Sequence, residues 1–305
     1  MLSLSILWRQ NMSRFSCLLA GAALALLATP GFAQDKPPAF TTVKVDGTDN
    51  VYAFTYGNRV SMFIVTPAGV IATDPGGYGQ PQRVPTYLAE IRKVSDKPIK
   101  YLIYSHHHYD HISGGKPFKD AGAKIIAHKM ARQRLAVLKD PDTPLPDEVM
   151  DKKKVIKLGG TTVELTYHGL NHSDSTIAVR LPKEKVLFVV DIIPVGSMPG
   201  RGMIDFYPLE AEKSIQSMLK LDWNILVPGH PGAPGGRFGN KSDAQAQLTF
   251  LQDASEAVKV AAREGKCWEG VEKDLQLTKY ESWPGYKNNL QFVLRRYCAL
   301  WGRGT

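Results

Sequence analysis

An apolar run over Ile99–Tyr104 leads directly into Ser-His-His-His-Tyr-Asp-His at residues 105–111. Four of the chain's eight histidines fall inside this segment. Random placement in 305 residues rarely yields His-x-His-x-x-His, and still more rarely with Asp110 in the gap. The spacing has a physical consequence. His106 and His108 stand at i and i+2 off the end of an extended strand, so they share one side of the backbone. The chain then turns, and Asp110 and His111 can face a second position nearby. Imidazole nitrogen suits zinc, and a carboxylate supplies neutralising charge. Two metals about 3.5–4 Å apart need ligands interleaved in this way.

Four further polar residues stand where apolar strands stop. Asp74 follows Val70–Thr73, His172 follows a strand in Gly-Leu-Asn-His-Ser, Asp191 follows Val186–Val190, and His230 follows Ile225–Val227. Rigid strand ends hold ligands to a fraction of an ångström. Asp74 reads almost as readily as a turn residue before Pro75-Gly76, Asp191 is favoured as a ligand over a turn cap, and His168 rivals His172. His107 and His128 read as packed or hydrogen-bonded histidines.

The pattern around these residues alternates strands and helices. Val51–Tyr56, Val60–Thr66 and Val70–Thr73 are rich in β-branched and aromatic residues and are punctuated by glycine, asparagine and proline. In residues 81–94, Val84, Tyr87, Leu88 and Ile91 share one helical face. Strands follow at 99–104, 125–127, 155–158, 162–166, 176–181, 186–190 and 225–227. Helices are expected at 129–138, 209–220, 241–264 and 285–301, the last with Leu290, Val293, Leu294, Tyr297 and Trp301 on one face. The proline-rich segment Asp140–Asp147 reads as a loop. Two such halves packed sheet on sheet, helices outside, give an α/β, four-layer αββα sandwich.

Residues 1–33 differ in character. Arg9 and Arg14 precede an apolar run, Cys17–Ala28, then Thr-Pro-Gly-Phe-Ala with small residues at Gly31 and Ala33. This reads as a signal peptide cleaved after Ala33, with residues 34–305 forming the domain and its helical C-terminal segment. A periplasmic or secreted location is expected, with no membrane attachment after cleavage. Cys267 and Cys298 then remain, either as a disulfide or as two separate thiols. The formal net charge is +9, or +7 without Arg9 and Arg14. The basic residues are scattered, with no aromatic-interleaved stripe, so no nucleic-acid partner is expected. A small-molecule substrate is expected, and oligomeric state is not legible.

The ordered set Asp74, His106/His108/Asp110/His111, His172, Asp191 and His230 resembles the five motifs of the metallo-β-lactamase superfamily. The match spans residues 70–230. The resemblance implies that His106, His108 and His172 bind a first metal and that Asp110, His111 and His230 bind a second. It implies that Asp191 bridges them and that Asp74 orients a ligand histidine from behind. It favours His172 over His168, because the family's histidine precedes Ser or Thr, as His172 precedes Ser173. Two zinc ions are implied, with iron or manganese as alternatives.

The implied reaction is hydrolysis by a metal-bridging hydroxide, with Asp110 orienting it and passing on its proton. The expected substrate is a small ester, lactone or related carboxyl derivative. The resemblance makes Asp191 point that way, because the superfamily's classical lactamases carry Cys or Ser there or have no bridging ligand, whereas a bridging Asp is the pattern of its lactonases, thioesterases and phosphodiesterases. Three alternatives accompany this reading: a β-lactam hydrolase, an iron-dependent redox enzyme such as a sulfur dioxygenase, and a non-catalytic periplasmic metal-binding accessory protein. Ile193–Tyr207 and Asp140–Asp147 are expected to rim the pocket. Met198, Met203, Phe206 and Tyr207 would make it apolar or aromatic.

Overall fold

The computed structural model describes residues 40–232 and 236–305. The expected leader lies outside the described residues. The strands are β1 (Phe40–Lys44), β2 (Val51–Tyr56), β3 (Arg59–Thr66), β4 (Gly69–Thr73), β5 (Ile99–Ile103), β6 (Lys124–His128), β7 (Glu148–Met150), β8 (Lys153–Leu158), β9 (Thr161–Tyr167), β10 (Ile177–Leu181), β11 (Val186–Val189) and β12 (Ile225–Pro228). The helices are α1 (Arg83–Val94), α2 (Tyr109–Ile112), α3 (Lys116–Asp120), α4 (Lys129–Leu138), α5 (Pro208–Leu219), α6 (Lys241–Arg263), α7 (Glu269–Asp274) and α8 (Tyr286–Arg303). None of the described helices is long and apolar enough to cross a membrane.

The strands form two sheets, a seven-stranded one in the order β1 to β7 and a five-stranded one in the order β12-β11-β10-β9-β8. In the first, β1 to β4 pair antiparallel and β4 to β7 pair parallel. In the second, β8 to β11 are antiparallel and β12 joins β11 in parallel.

Side-chain alternation sorts the core into three slabs. Ile71, Ile103, Ile126, Val179, Phe188 and Val227 face inward between the sheets. Their neighbours Val70, Ala72, Leu102, Ile125 and Ala127 face outward, under Tyr87 and Ile91 of α1 and Leu135 of α4. On the far side, Leu187, Val189 and Leu226 pack beneath Ile215 of α5, Leu251 of α6 and Leu294 of α8. The central strands therefore read as continuous apolar runs, because both of their faces are covered. Truncating a fully buried side chain such as Phe188 to Ala is expected to cost ~3–5 kcal/mol.

The sheets are clasped at the end where the polar residues cluster. Ile177 N–H donates to Ser105 C=O at 2.8 Å, and Val60 N–H donates to Gly229 C=O at 2.8 Å. The strands β1 and β7 extend the first sheet beyond the expected set. Both are short edge strands with exposed positions, which weakens their apolar signal. The helix α7 is likewise additional. Cys267 and Cys298 are paired as a disulfide, with Cα atoms 5.5 Å apart, which ties the segment before α7 to α8.

Candidate metal centre

The backbone brings the site residues to one end of the parallel strand pairs. Asp74 follows β4, Asp191 follows β11 and His230 follows β12. His106–His111 occupy the turn after β5 and the short α2, and His172 lies in the loop after β9. Asp74 and Asp191 both adopt left-handed backbone, with φ of 36° and 65°. This conformation is strained for a residue bearing a Cβ, though aspartate tolerates it better than most. Such strain concentrates at functional positions.

Two ligand-capable clusters share one carboxylate. His106, His108, His172 and Asp191 offer atoms within 4.8 Å of one another, and so do Asp110, His111, Asp191 and His230. Asp191 Oδ2 lies 3.6 Å from His106 Nε2, 3.1 Å from His111 Nε2 and 3.2 Å from His172 Nε2. Its Oδ1 lies 3.0 Å from His230 Nε2 without hydrogen-bond geometry. Asp110 Oδ2 is 3.5 Å from His111 Nε2 and 3.9 Å from His230 Nε2. The site opens on one side only: the His106 side chain is 0 % exposed, whereas those of Asp110 and His230 are 37 % and 35 % exposed.

Outer contacts fix which nitrogen each ring presents. Ser105 Oγ lies 2.9 Å from His106 Nδ1, leaving Nε2 for the centre. The Asn58 carbonyl accepts from His230 Nδ1–H. Asp205 Oδ2 lies 2.8 Å from His108 Nε2, so His108 presents Nδ1. Asp74 Oδ1 accepts the Ser105 backbone N–H at 2.8 Å, and its Oδ2 stands 3.7 Å from His111 Nδ1. Asp74 thus holds the backbone just before His106 and faces His111.

These contacts make the centre hungry for a cation. His108 Nδ1 and His172 Nε2 face each other at 2.9 Å, and His111 Nε2 and His230 Nε2 at 3.1 Å. His106 Nε2 and Asp191 Oδ1 are buried without a hydrogen-bond partner. Unpaired buried acceptors cost free energy, and a bound cation offsets that cost. The donor set, imidazole plus carboxylate, fits a divalent transition metal.

Charge distribution within the cluster is uneven. Burial raises the Asp191 carboxyl, but the surrounding His111, His230 and His172 outweigh it and hold it well below the usual range. Burial lowers His230, but the Asp191 carboxylate and the Asn58 carbonyl overcome it, holding the ring up at about 9. Burial, with the neighbouring rings, keeps His106 neutral, the form in which an imidazole can bind a metal.

The remaining histidines are occupied elsewhere. His168 faces Thr166 Oγ1 and Ser217 Oγ, each at 2.9 Å. His107 Nδ1 faces Ser175 Oγ at 2.8 Å, and His128 accepts the Met130 N–H at the start of α4 and stacks on Tyr167. Asp205 is absent from the sequence expectations. Its distance along the chain from His108 conceals the contact, and its one local signal is a carboxylate in the loop following Asp191.

Residues 55–230 match the sequence profile of the metallo-beta-lactamase superfamily. The chain belongs to that superfamily. Its relatives in that superfamily include type 2 metallo-beta-lactamases, and it spans only part of the length of several of the curated relatives it matches. It is 28% identical over 204 residues to the 2,4-dinitroanisole O-demethylase subunit alpha of Nocardioides sp. (strain JS1661), covering 66% of this chain and 60% of that subunit. It is 29% identical over 220 residues to a type 2 metallo-beta-lactamase of Elizabethkingia meningoseptica, covering 68% of this chain and 85% of that enzyme. A metallo-beta-lactamase structure from Pontibacter korlensis superimposes with a TM-score of 0.60 at 20% identity, covering 70% of this chain and 99% of that one. This last likeness concerns the fold.

A cavity of about 570 Å³ opens over the centre of this superfamily member. Ile193–Met203 contribute to its wall, with Pro228–Gly232 and the start of α8. Two expectations are corrected here. Asp140–Asp147 does not line the cavity; Asp142 and Pro144 instead accept hydrogen bonds from Gly114 N–H and Tyr104 O–H beside α3. Phe206 and Tyr207 do not line it either. Phe206 is buried in the helical slab, and the wall is formed by Met198, Met203 and prolines rather than by aromatic rings.

Proposed function

We propose that this protein is an exported two-metal hydrolase of a small ester, lactone or related carboxyl derivative. The observation that carries the reading is Asp191, whose carboxylate belongs to both ligand clusters at once. His106, His108 and His172 would hold one metal, and Asp110, His111 and His230 the other, with Asp191 between them. Two zinc ions suit this donor set, and iron or manganese are the alternatives. When bound, such a pair activates water near neutral pH and polarises the bond to be cleaved.

The chain's own residues do the rest. Ser105, Asn58 and Asp205 orient His106, His230 and His108 from behind. Asp110 is the more exposed carboxylate at the cavity floor and is placed to accept and relay a proton. The apolar lining of Ile193, Met198 and Met203 excludes water and holds the substrate body.

A second reading, hydrolysis of a β-lactam, draws on the type 2 lactamase relative, 85% of whose length is matched. The complete second cluster disfavours a mononuclear iron dioxygenase. The test is metal content per chain together with turnover of a panel of esters, lactones and β-lactams. About two zinc ions and turnover abolished by His106→Ala support the proposal. A single iron with oxygen uptake, or metal binding with no turnover of any panel member, overturns it.

A further inference from the structure

Two arginines, Arg59 and Arg83, are buried beside the metal centre. Arg83 Nε donates to Pro75 C=O at 3.0 Å, and its Nη1 donates to Tyr56 C=O at 3.3 Å and Arg59 C=O at 3.2 Å. Its Nη2 donates to Ser61 Oγ, which in turn donates to Asp74 C=O. Arg59 Nη1 donates to Gly76 C=O at 2.8 Å and to Tyr78 C=O. Every one of these acceptors is neutral, so no carboxylate among them offsets the cost of burying two cations. What an arginine supplies here, and an apolar residue lacks, is a rigid fork of donors that holds several backbone segments at once.

The segments so held are the hairpin at 56–59 and the loop at 74–78, and both lead to the same ligand set. From the hairpin, Asn58 C=O accepts from His230 Nδ1–H, and Val60 N–H donates to Gly229 C=O at 2.8 Å. From the loop, Gly76 N–H donates to His111 C=O and Gly77 N–H to Ser113 C=O, each at 2.7 Å, which fixes the turn bearing Asp110 and His111. The other cluster is oriented from elsewhere. Ser105 Oγ faces His106, and Asp205 faces His108. The loop before His172 is held where Ser214 Oγ donates to His168 C=O and Tyr207 N–H to Asn171 C=O, each at 2.8 Å. Neither arginine enters those contacts. Asp74, which touches both sets, is also held by its own N–H to Ile103 C=O at 3.0 Å.

We propose that Arg83, through Arg59, is a positioning residue for the second metal. The clasp sets how tightly Asp110, His111 and His230 hold that metal and leaves the first cluster nearly untouched. This inference rests on the two-metal reading above.

The test is stepwise zinc binding to metal-free wild type, Arg83→Met, Arg83→Lys and Arg59→Met, by competition with a coloured chelator. Circular dichroism and urea unfolding of the metal-free proteins record fold and stability separately. In Arg83→Met the second zinc is expected to bind about tenfold or more weakly, while the first changes by less than about twofold. Arg83→Lys, which keeps the charge and one donor group, is expected to fall between. Arg59→Met, which loses the bonds to Gly76 and Tyr78, is expected to move the same ratio in the same direction. A loss of stability with the ratio of the two affinities unchanged marks a merely structural role and overturns the proposal. Both zinc ions weakened alike overturns it too. If Arg83→Met does not fold, the ratios in Arg83→Lys and Arg59→Met decide by the same criterion. A wild type that binds a single zinc fails the two-metal reading itself, and this inference with it.

Discussion

His108 Nε2 lies 2.8 Å from Asp205 Oδ2, across 97 residues of sequence. The contact turns the His108 Nδ1 lone pair toward His172 and the shared carboxylate of Asp191. Outer-shell carboxylates of this kind fix ring orientation and raise ligand basicity. Asp205→Ala is expected to weaken metal binding ~10–100-fold, and Asp205→Asn less. Competition with a coloured chelator measures the loss, and circular dichroism checks that the fold is intact. Unchanged affinity in Asp205→Ala would remove Asp205 from the site.

Asp191 is the residue common to both clusters, so its loss should not affect them equally. The first cluster retains three histidines without it, whereas the second retains Asp110, His111 and His230, two of them partly open to solvent. Asp191→Ala is expected to lose the second metal before the first. Elemental analysis across a chelator series reads this directly. Retention of both metals at wild-type affinity would contradict the bridging role.

The loop after Asp74 depends on Gly76. Its φ is +67°, and an added Cβ would lie 2.4 Å from Arg83 Nε. Arg83 is fully buried and spends its donors on Pro75 C=O, Tyr56 C=O, Arg59 C=O and Ser61 Oγ. Gly76→Ala combines left-handed strain with displacement of that guanidinium, and a loss of ~1–3 kcal/mol in urea unfolding is expected. A variant as stable as the wild type would show that the loop can yield without cost.

The Cys267–Cys298 bond closes a separation of 31 residues. Loop-closure entropy predicts that Cys267→Ser/Cys298→Ser loses about 3–4 kcal/mol. The start of α8 lines the cavity, so KM should rise in the same variant. Thermal unfolding with and without reductant reads the first effect and steady-state kinetics the second. Identical melting under both conditions would mean the two thiols are not bonded in solution.

How much of this was legible beforehand depended on the range of the interactions. His106, His108, Asp110 and His111 lie in one short segment, so alternation for the first pair and a turn before the second bring them together locally. The apolar runs at β4, β5, β11 and β12 mark strands buried on both faces, and hence the layered fold. By contrast, β1 and β7 carry little apolar signal, because edge strands leave much of their surface to solvent. The outer contacts of the site, Asp205 with His108 and Asn58 with His230, leave no trace in local pattern. Each joins residues brought close only when the two sheets dock.

The sequence by itself determined the candidate ligand types, their order and the sandwich that carries them, because strand alternation and residue chemistry are local properties. Only the tertiary structure decided which nitrogen each histidine presents, that Cys267 meets Cys298, and that Phe206 and Tyr207 stand outside the cavity wall. Those outcomes follow from the packing of α8 and the segment after Asp191 against the second sheet, a long-range fit that no single stretch of chain encodes.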